Sequence, residues 1–362
     1  METLLEKARK IINEVDGKMA ELFIERMRAA EMVAEYKKQH GLKILDAARE
    51  EEVIRRNSER VEDPELRAYY VNFLRNNMAV SRSYQDKLME GMRVAYTGTE
   101  GAFAHIASTQ LFPTARKLPF GDFTSAYRAV ERGECDVAVL PVENSYNGEV
   151  GQVTDLMFSG SLYVNGMTEL AVSHDLLAPK GATLETIREV VSHQQALGQC
   201  AEYIHAHGFA AREYANTALA AKMVAERGDV SLAAIASAEA AEIFGLEVIE
   251  KNINESRSNT TRFAILSRSE NPHKTEEMGV HTIILFTVRN EAGALAKAIE
   301  IIGKHGFNMR SLRSRPMKEL LWQYYFYVEA EGNINTPAGA EMMKELSRYC
   351  DRLKSLGTYV KS

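Results

Sequence analysis

A chain of 362 residues exceeds what one hydrophobic core usually serves, and 45% hydrophobic with 26% charged residues is the balance of a globular protein with two or three domains. A net charge of -6 and a pI near 5.9 exclude a general binder of nucleic acid or of an anionic membrane, so an anionic ligand has to be held by local cations. Cys135, Cys200 and Cys350 are odd in number and far apart, which fits neither a disulfide framework nor a metal site. No uncharged run approaches the ~20 residues of a membrane helix, and METLLEKARK lacks the apolar core of an export signal, so a cytoplasmic location is expected.

Residues 1–90 contain no strand-like run, and their only proline, Pro64, follows Asp63 as a first-turn residue follows an N-cap. Three helices are expected. The first, over roughly 3–39, would be about 55 Å long, too long to bury its apolar seam against two short partners, which predicts a helical dimer. That seam reads Ile12, Met19, Arg26, Val33 with the companion row Val15, Leu22, Ala29, Tyr36, so Arg26 falls among core positions. Arg9, Asp16 and Lys37 fall on a neighbouring stripe. Asp46, Arg49 and Glu50 share a face at the start of the second helix, and Ser81 and Gln85 lie one turn apart on the third. Singly, these residues suit capping or solvated charge. A buried unpaired Arg26, however, calls for an anionic partner, and several cations with one acid suit a small dicarboxylate. With no histidine or cysteine nucleophile among them, a reaction there rests on shaping and electrostatics.

From Met92 the short apolar runs RVAY, CDVAVLPV, ELAVSHDLLA and FAILS alternate with helical stretches, predicting an α/β domain that ends near Ser267. RVAYTGTEGAFAHIA leaves free backbone N–H groups at a helix start. Glu143, Asn144 and Ser145 close a buried strand, where open α/β sheets bind ligands, although a plain turn explains them equally. His193 suits a structural histidine, and Arg262 is either a carboxylate clamp or a snorkelling side chain. After SRSENPHKTEEMG the order βαββαβ is that of a ferredoxin-like α+β module, with Leu312, Trp322 and Tyr324 to Tyr327 as core or interface residues.

Residues 1–90 resemble the all-helical chorismate mutase family through Arg9, Asp16, Glu25-Arg26, Lys37, Asp46-Ala47-Ala48-Arg49-Glu50 and Ser81-x-x-x-Gln85. The resemblance implies an intertwined dimer. In it, Arg9 of the partner chain, Arg26 and Arg49 hold the substrate, Lys37 and Gln85 meet the ether oxygen, Glu50 binds the ring hydroxyl, and Asp46 and Ser81 line the site. Residues 92–268 resemble the prephenate dehydratase family in four ordered motifs: G-x-x-G-A-F, VP-V-EN, SH-x-QAL-x-QC and N-x-TRF. Two lobes are implied, with the chain crossing near 170 and 250. Thr261 would assist loss of the ring hydroxyl, with Glu143 as the rival acid, while Asn144, Ser145, His193, Gln199 and Arg262 line or support the cleft. Residues 279–362 resemble an ACT domain, a dimerising unit, in which Gly293-Ala294-Leu295 and Ser314-Arg315-Pro316 match motifs that hold phenylalanine. Arg313 stands where that family commonly has Glu, which removes one ligand for an amino group.

Together these resemblances imply a bifunctional enzyme that takes chorismate through prephenate to phenylpyruvate, with phenylalanine as effector. They also imply a homodimer or tetramer, no cofactor and no metal. Two alternatives stand beside it: a dehydratase whose helical segment is only a dimerisation arm, and an amino-acid-responsive regulatory protein without catalysis.

Overall fold

The computed structural model describes residues 2–256, 258–270, 279–317 and 323–360. The chain forms two compact units, residues 1–92 and 93–362. Trp322 lies outside the described residues.

The first unit is helical. Helix α1 (Leu4–His40) opens on a capping box between Thr3 and Glu6 and stops at Gly41, whose φ of 62° is left-handed. Asp46 accepts a hydrogen bond from Arg49 N at the start of α2 (Ala47–Ser58), and Asp63 with Pro64 opens α3 (Pro64–Glu90). Ala30 and Ala34 of α1 are buried, as is Met78 of α3. The predicted seam is not what this chain buries: Ile12, Val15, Met19, Leu22, Val33 and Tyr36 are exposed. The intrachain contact runs instead through the small alanines, which permit close approach. At 27 residues α3 is longer than the short partner expected, yet Leu4, Leu5 and Ile11 also remain uncovered.

The second unit begins with a two-lobed α/β domain. Its first lobe contains β1 (Arg93–Thr97), α4 (Phe103–Leu111), β2 (Arg116–Phe120), α5 (Phe123–Glu131), β3 (Val137–Asn144), β4 (Gly148–Glu149), α6 (Gly151–Ser159) and β5 (Tyr163–Ala171). The chain then crosses to the second lobe. This lobe is built from β6 (Asp175–Ala178), β7 (Glu189–Ser192), α7 (Gln194–Gln199), α8 (Ala201–His207), β8 (Ala210–Glu213), α9 (Thr217–Arg227), β9 (Leu232–Ala236), α10 (Ala238–Phe244) and β10 (Glu247–Glu250). It returns to the first lobe with β11 (Thr260–Ser267). The sheet orders are β2-β1-β3-β11-β5, with β4 on β3, and β10-β6-β9-β7-β8, both mixed. The expected single run ELAVSHDLLA is thus two strands in two sheets, broken at the crossing. The two crossings pair with each other through Val172 N to Asn259 O and Ile253 N to His174 O, each 2.8 Å.

The C-terminal part runs β12 (Val280–Val288), α11 (Ala294–Lys304), β13 (Asn308–Pro316), β14 (Tyr324–Glu331), α12 (Pro337–Leu346), β15 (Cys350–Val360), in the sheet order β13-β14-β12-β15. One face of this sheet packs Ile284, Phe286, Val328 and Ala330 against α11 and α12. The other face joins the first lobe's core, because Ile283, Leu285, Tyr325, Tyr327 and Tyr359 cluster with Ala138, Leu140, Met157 and Leu266. Strand β12 is therefore buried on both faces, which explains its apolar centre Ile283-Ile284-Leu285-Phe286. Tyr324 and Leu312, on other positions of the strand pair, are exposed.

Polar contacts edge this shared core. Arg262 of β11 clasps Glu329 of β14 at 2.9 and 3.1 Å, and Tyr359 also donates to that carboxylate. Arg313 meets Glu143 at 2.7 Å, and Asp155 receives both Arg315 Nε at 2.9 Å and the Tyr325 hydroxyl at 2.7 Å. Burial acts to raise the Glu329 carboxyl, but the hydrogen bonds from Arg262 and Tyr359 outweigh it and leave its pKa below the usual value. A depressed carboxyl pKa contributes stability that is complete above the unfolded value, about 4.3, and that is lost as pH falls through the lower folded value. Glu329→Gln should therefore destabilise the second unit by about 3 kcal/mol at neutral pH. In paired thermal melts, the gap between wild type and variant should close as the pH drops below about 4.

Candidate active sites

The helical unit contains a hollow of about 170 Å³. Arg26 and Lys37 reach it from α1, Asp46, Arg49 and Glu50 from the start of α2, and Ser81, Arg82 and Gln85 from α3, with Val33, Ile44, Val53 and Met78 as apolar wall. Every site residue expected of a single chain's helical segment is thus assembled in one place. Arg9 is exposed on α1 and does not line the hollow. Arg82 was missed by sequence reasoning, although its position one residue after Ser81 on a site helix was a signal.

The charges in this hollow are unevenly satisfied. Glu50 is paired with Arg82, and Arg49 leans outward to Glu52 at 2.6 Å. Lys37 donates to Ile44 O. Arg26 donates to Ser81 Oγ and to Asn77 O, and among the described residues no carboxylate pairs with it. Burial lowers its pKa. The Gln85 side chain is buried, with its carbonyl oxygen unpartnered among the described residues. Four cations against two carboxylates therefore surround a buried carboxamide that retains hydrogen-bonding capacity, a set suited to a small dianion.

The second site is a cleft of about 540 Å³ between the lobes. Asn144, Asn147 and Glu149 line it from the β3–β4 turn, His193, Gln195 and Gln199 from α7, Asn216 and Thr217 from the start of α9, and Phe103 from the start of α4. The crossings add His174 and Asn259, and β11 adds Thr261. Asn144 is fixed by the turn after β3, where its Oδ1 accepts from Tyr146 N at 3.0 Å and Asn147 N at 2.9 Å. Its Nδ2 donates to Thr261 Oγ1 at 2.9 Å and to Asn259 Oδ1 at 2.8 Å. His193 caps α7, accepting from Gln195 N at 3.3 Å. Cys200, beside Gln199, is buried and its thiol is pushed up to about 12, so it stays protonated.

Other expected residues are placed elsewhere. Thr261 and Arg262 are adjacent on a strand, so their side chains leave opposite faces of the sheet. Arg262 accordingly points to Glu329 and Tyr359, not into the cleft. Glu143 is likewise displaced from Asn144's side and pairs with Arg313 and Arg262, so it is not an acid facing Thr261. Ser145 ties the turn after β3 to the second crossing, donating to Ser258 O and accepting from Thr260 N. Among the described residues lining the cleft, the one charged side chain is Glu149, with Oε2 3.5 Å from Arg315 Nη1. What remains for an anion is backbone: α4, whose N-cap Ala102 makes no side-chain cap bond, and α9 both present their N-terminal ends to the cleft. The glycine-containing turn before α4 was the visible signal for this; the Asn216 cap of α9 and His174 were missed.

In the C-terminal part, Gly293 caps α11 with φ 85°, and Leu295 lines a hollow of about 400 Å³ with Arg289, Asn290, Glu291, Tyr324, Phe326 and Asp351. Ala294 begins α11. Arg313 and Arg315 do not line this hollow, because alternation along β13 turns both toward carboxylates of the first lobe. Ser314 lies exposed on the other face, and Pro316 borders a separate hollow with Asp155, Tyr325 and Arg352. Among the described residues no cluster of three or more His, Cys, Asp or Glu is placed to hold a metal ion, and no helix is long and apolar enough to cross a membrane.

A charged helical hollow followed by a two-lobed cleft and a βαββαβ module defines a chain with two active-site folds and a regulatory one. Its sequence matches the family models for chorismate mutase type II over residues 8–86, prephenate dehydratase over 94–271 and the ACT domain over 282–347. The chain belongs to the bifunctional chorismate mutase/prephenate dehydratase family: it is 30% identical to the Aquifex aeolicus member over 99% of this chain and 98% of that one. It is also 34% identical, over 74% of this chain and 72% of the relative, to an arogenate dehydratase/prephenate dehydratase of Arabidopsis thaliana. A solved prephenate dehydratase of Arthrobacter aurescens in complex with L-Phe superposes with a TM-score of 0.69, at 25% identity over 75% of this chain and 90% of that one.

The half-buried, carboxylate-free Arg26 yields a stability test. Arg26→Leu should be neutral or stabilising by about 1 kcal/mol in the absence of ligand, since hydrocarbon replaces a desolvated charge. A loss beyond that in denaturant unfolding of the full chain would mean its bonds to Ser81 and Asn77 are structural.

Proposed function

We propose that this chain performs two successive steps, chorismate to prephenate in the helical hollow and prephenate to phenylpyruvate in the cleft. In the first, the ether C–O bond breaks while a C–C bond forms, with no net proton transfer. Arg26 and Arg49 hold the carboxylates, Lys37 and Gln85 stabilise charge growing on the ether oxygen, and Glu50, held by Arg82, receives the ring hydroxyl. Arg9 comes from the partner of an intertwined dimer, a reading supported by the uncovered Ile11, Ile12, Val15, Met19 and Leu22 on α1.

The second step breaks the C–CO2 bond, sends its electrons into the ring and expels the ring hydroxyl, which leaves as water after gaining one proton. Aromatisation drives it, so the protein has to orient the substrate and donate to the departing oxygen. The observation that carries this reading is the Asn144 to Thr261 hydrogen bond. Because Thr261 Oγ1 accepts there, its own proton is left to donate into the cleft, while the N-terminal ends of α4 and α9 receive carboxylate charge. A dehydratase with an inert helical arm is disfavoured by the assembled cation set around Gln85.

The proposed domains are residues 1–90, 92–268 and 279–362, the last a ferredoxin-like ACT domain in agreement with its strand order. It would take phenylalanine beside Gly293 and Leu295, with a second copy completing the site in a dimer or tetramer. The fit of the chain to cytoplasmic chemistry rests on its three thiols in reduced form.

Purified protein given chorismate should release prephenate transiently and then phenylpyruvate, and phenylalanine should slow the second product; prephenate that accumulates unchanged would sink the cleft assignment. Arg26→Ala should lower mutase turnover at least about 100-fold with dehydratase turnover unchanged, whereas Thr261→Ala should do the reverse and Thr261→Ser should retain most activity.

A further inference from the structure

The Asn144 carboxamide is one link in a longer chain of hydrogen bonds across the lobe junction. Asn144 Nδ2 donates to Asn259 Oδ1 at 2.8 Å, Asn259 Nδ2 donates to Gln199 Oε1 at 3.0 Å, and Gln199 Oε1 also meets His174 Nε2 at 2.9 Å. Gln199, Asn259 and His174 are all buried. The chain of bonds joins the two crossings, His174 on the first and Asn259 on the second, and reaches Thr261 at the start of β11.

The direction of every bond follows from one fixed end. Two backbone N–H groups hold Asn144 Oδ1, so its NH2 must face Asn259 and Thr261. Asn259 then has to present its oxygen to Asn144 and its NH2 to Gln199, which has to present oxygen in turn. A carboxamide oxygen accepts, so His174 has to donate from Nε2. In a neutral imidazole that leaves Nδ1 as a lone pair, and Nδ1 is indeed buried without a protein partner among the described residues. The opposite tautomer would bury an orphaned N–H and set two acceptors against each other.

We propose that His174 is a positioning residue for the dehydration: as the Nε2–H tautomer it holds Gln199, Asn259 and Asn144 in a single donor-to-acceptor direction whose far end leaves the Thr261 hydroxyl proton free for the substrate. The inference rests on the dehydratase reading of the cleft. Burial lowers the His174 pKa, which keeps the ring neutral, against smaller opposing effects of Gln199 and Asp175. Asp175 is engaged elsewhere, accepting from Asn252 N at 2.7 Å, and the Phe103 ring closes the other side edge-on at 5.8 Å.

The test uses the full-length protein with prephenate as substrate, and chorismate turnover in the same preparations as a control for folding. Gln can place an amide N–H where Nε2 lies, and Asn cannot reach it. His174→Asn should lower kcat for phenylpyruvate formation by about 10- to 100-fold, as loss of an outer partner that orients a functional group does, with KM nearly unchanged. His174→Gln should recover to within about fivefold of wild type. Equal losses in both variants, wild-type kcat in His174→Asn, or a rise in KM alone would overturn the proposal. Nitrogen NMR of 15N-histidine-labelled protein gives an independent reading: a protonated Nε2 with bare Nδ1 supports it and the reverse tautomer refutes it. If the wild-type protein makes no phenylpyruvate, the dehydratase reading itself has failed, and the NMR result still decides the tautomer.

Discussion

The second unit depends on the way one carboxamide is pinned. Asn144 ends a buried strand and turns its oxygen back onto two consecutive backbone N–H groups of the following turn. That costs the amide its rotational freedom, and with it goes the freedom of every amide that faces it. The turn is local and cheap, since Asn readily accepts from backbone two residues ahead. Its consequence reaches further, because both crossings between the lobes are joined at this point. A cleft whose lining among the described residues is neutral but for Glu149 thereby acquires a definite polarity.

The two candidate sites offer an anion different partners. In the helical hollow, cations are mounted on long side chains and one of them, Arg26, is left without a carboxylate among the described residues. In the cleft, helix N-termini supply positive potential, and the arginine beside the key threonine is used to hold two sheets together. Placing guanidinium groups outside the cleft keeps the region around Thr261 free of strong competing donors, so the hydroxyl's direction follows from Asn144 and the amides behind it.

Much of this was legible from residues. Caps and heptad spacing located the helices because those signals are local, and the motif resemblance named Arg26, Lys37, Asp46, Glu50, Ser81 and Gln85, which line the hollow. The seam around Arg26 was not what the single chain buries, since periodicity reports an apolar face and not what covers it. ELAVSHDLLA read as one strand because hydrophobic runs do not show where a chain changes sheets. The misplacement of Arg262 and Glu143 was avoidable: each is a sequence neighbour of a cleft residue on an extended strand, and alternation sends neighbours to opposite faces. His174 had no such signal, being a lone Ser-His-Asp between apolar runs whose partners come from distant positions.

The C-terminal sheet shares a core with the first lobe, with Tyr325, Tyr327 and Tyr359 set among its aliphatic residues. A regulatory module attached in this way is not a removable accessory. Cutting the chain after Ser267 would uncover that apolar face and strand Arg262 without Glu329, so a shortened protein freed from its effector would be gained at the cost of solubility. Substitutions among the residues lining the hollow beside Leu295 leave that shared core whole, whereas truncation removes one side of it.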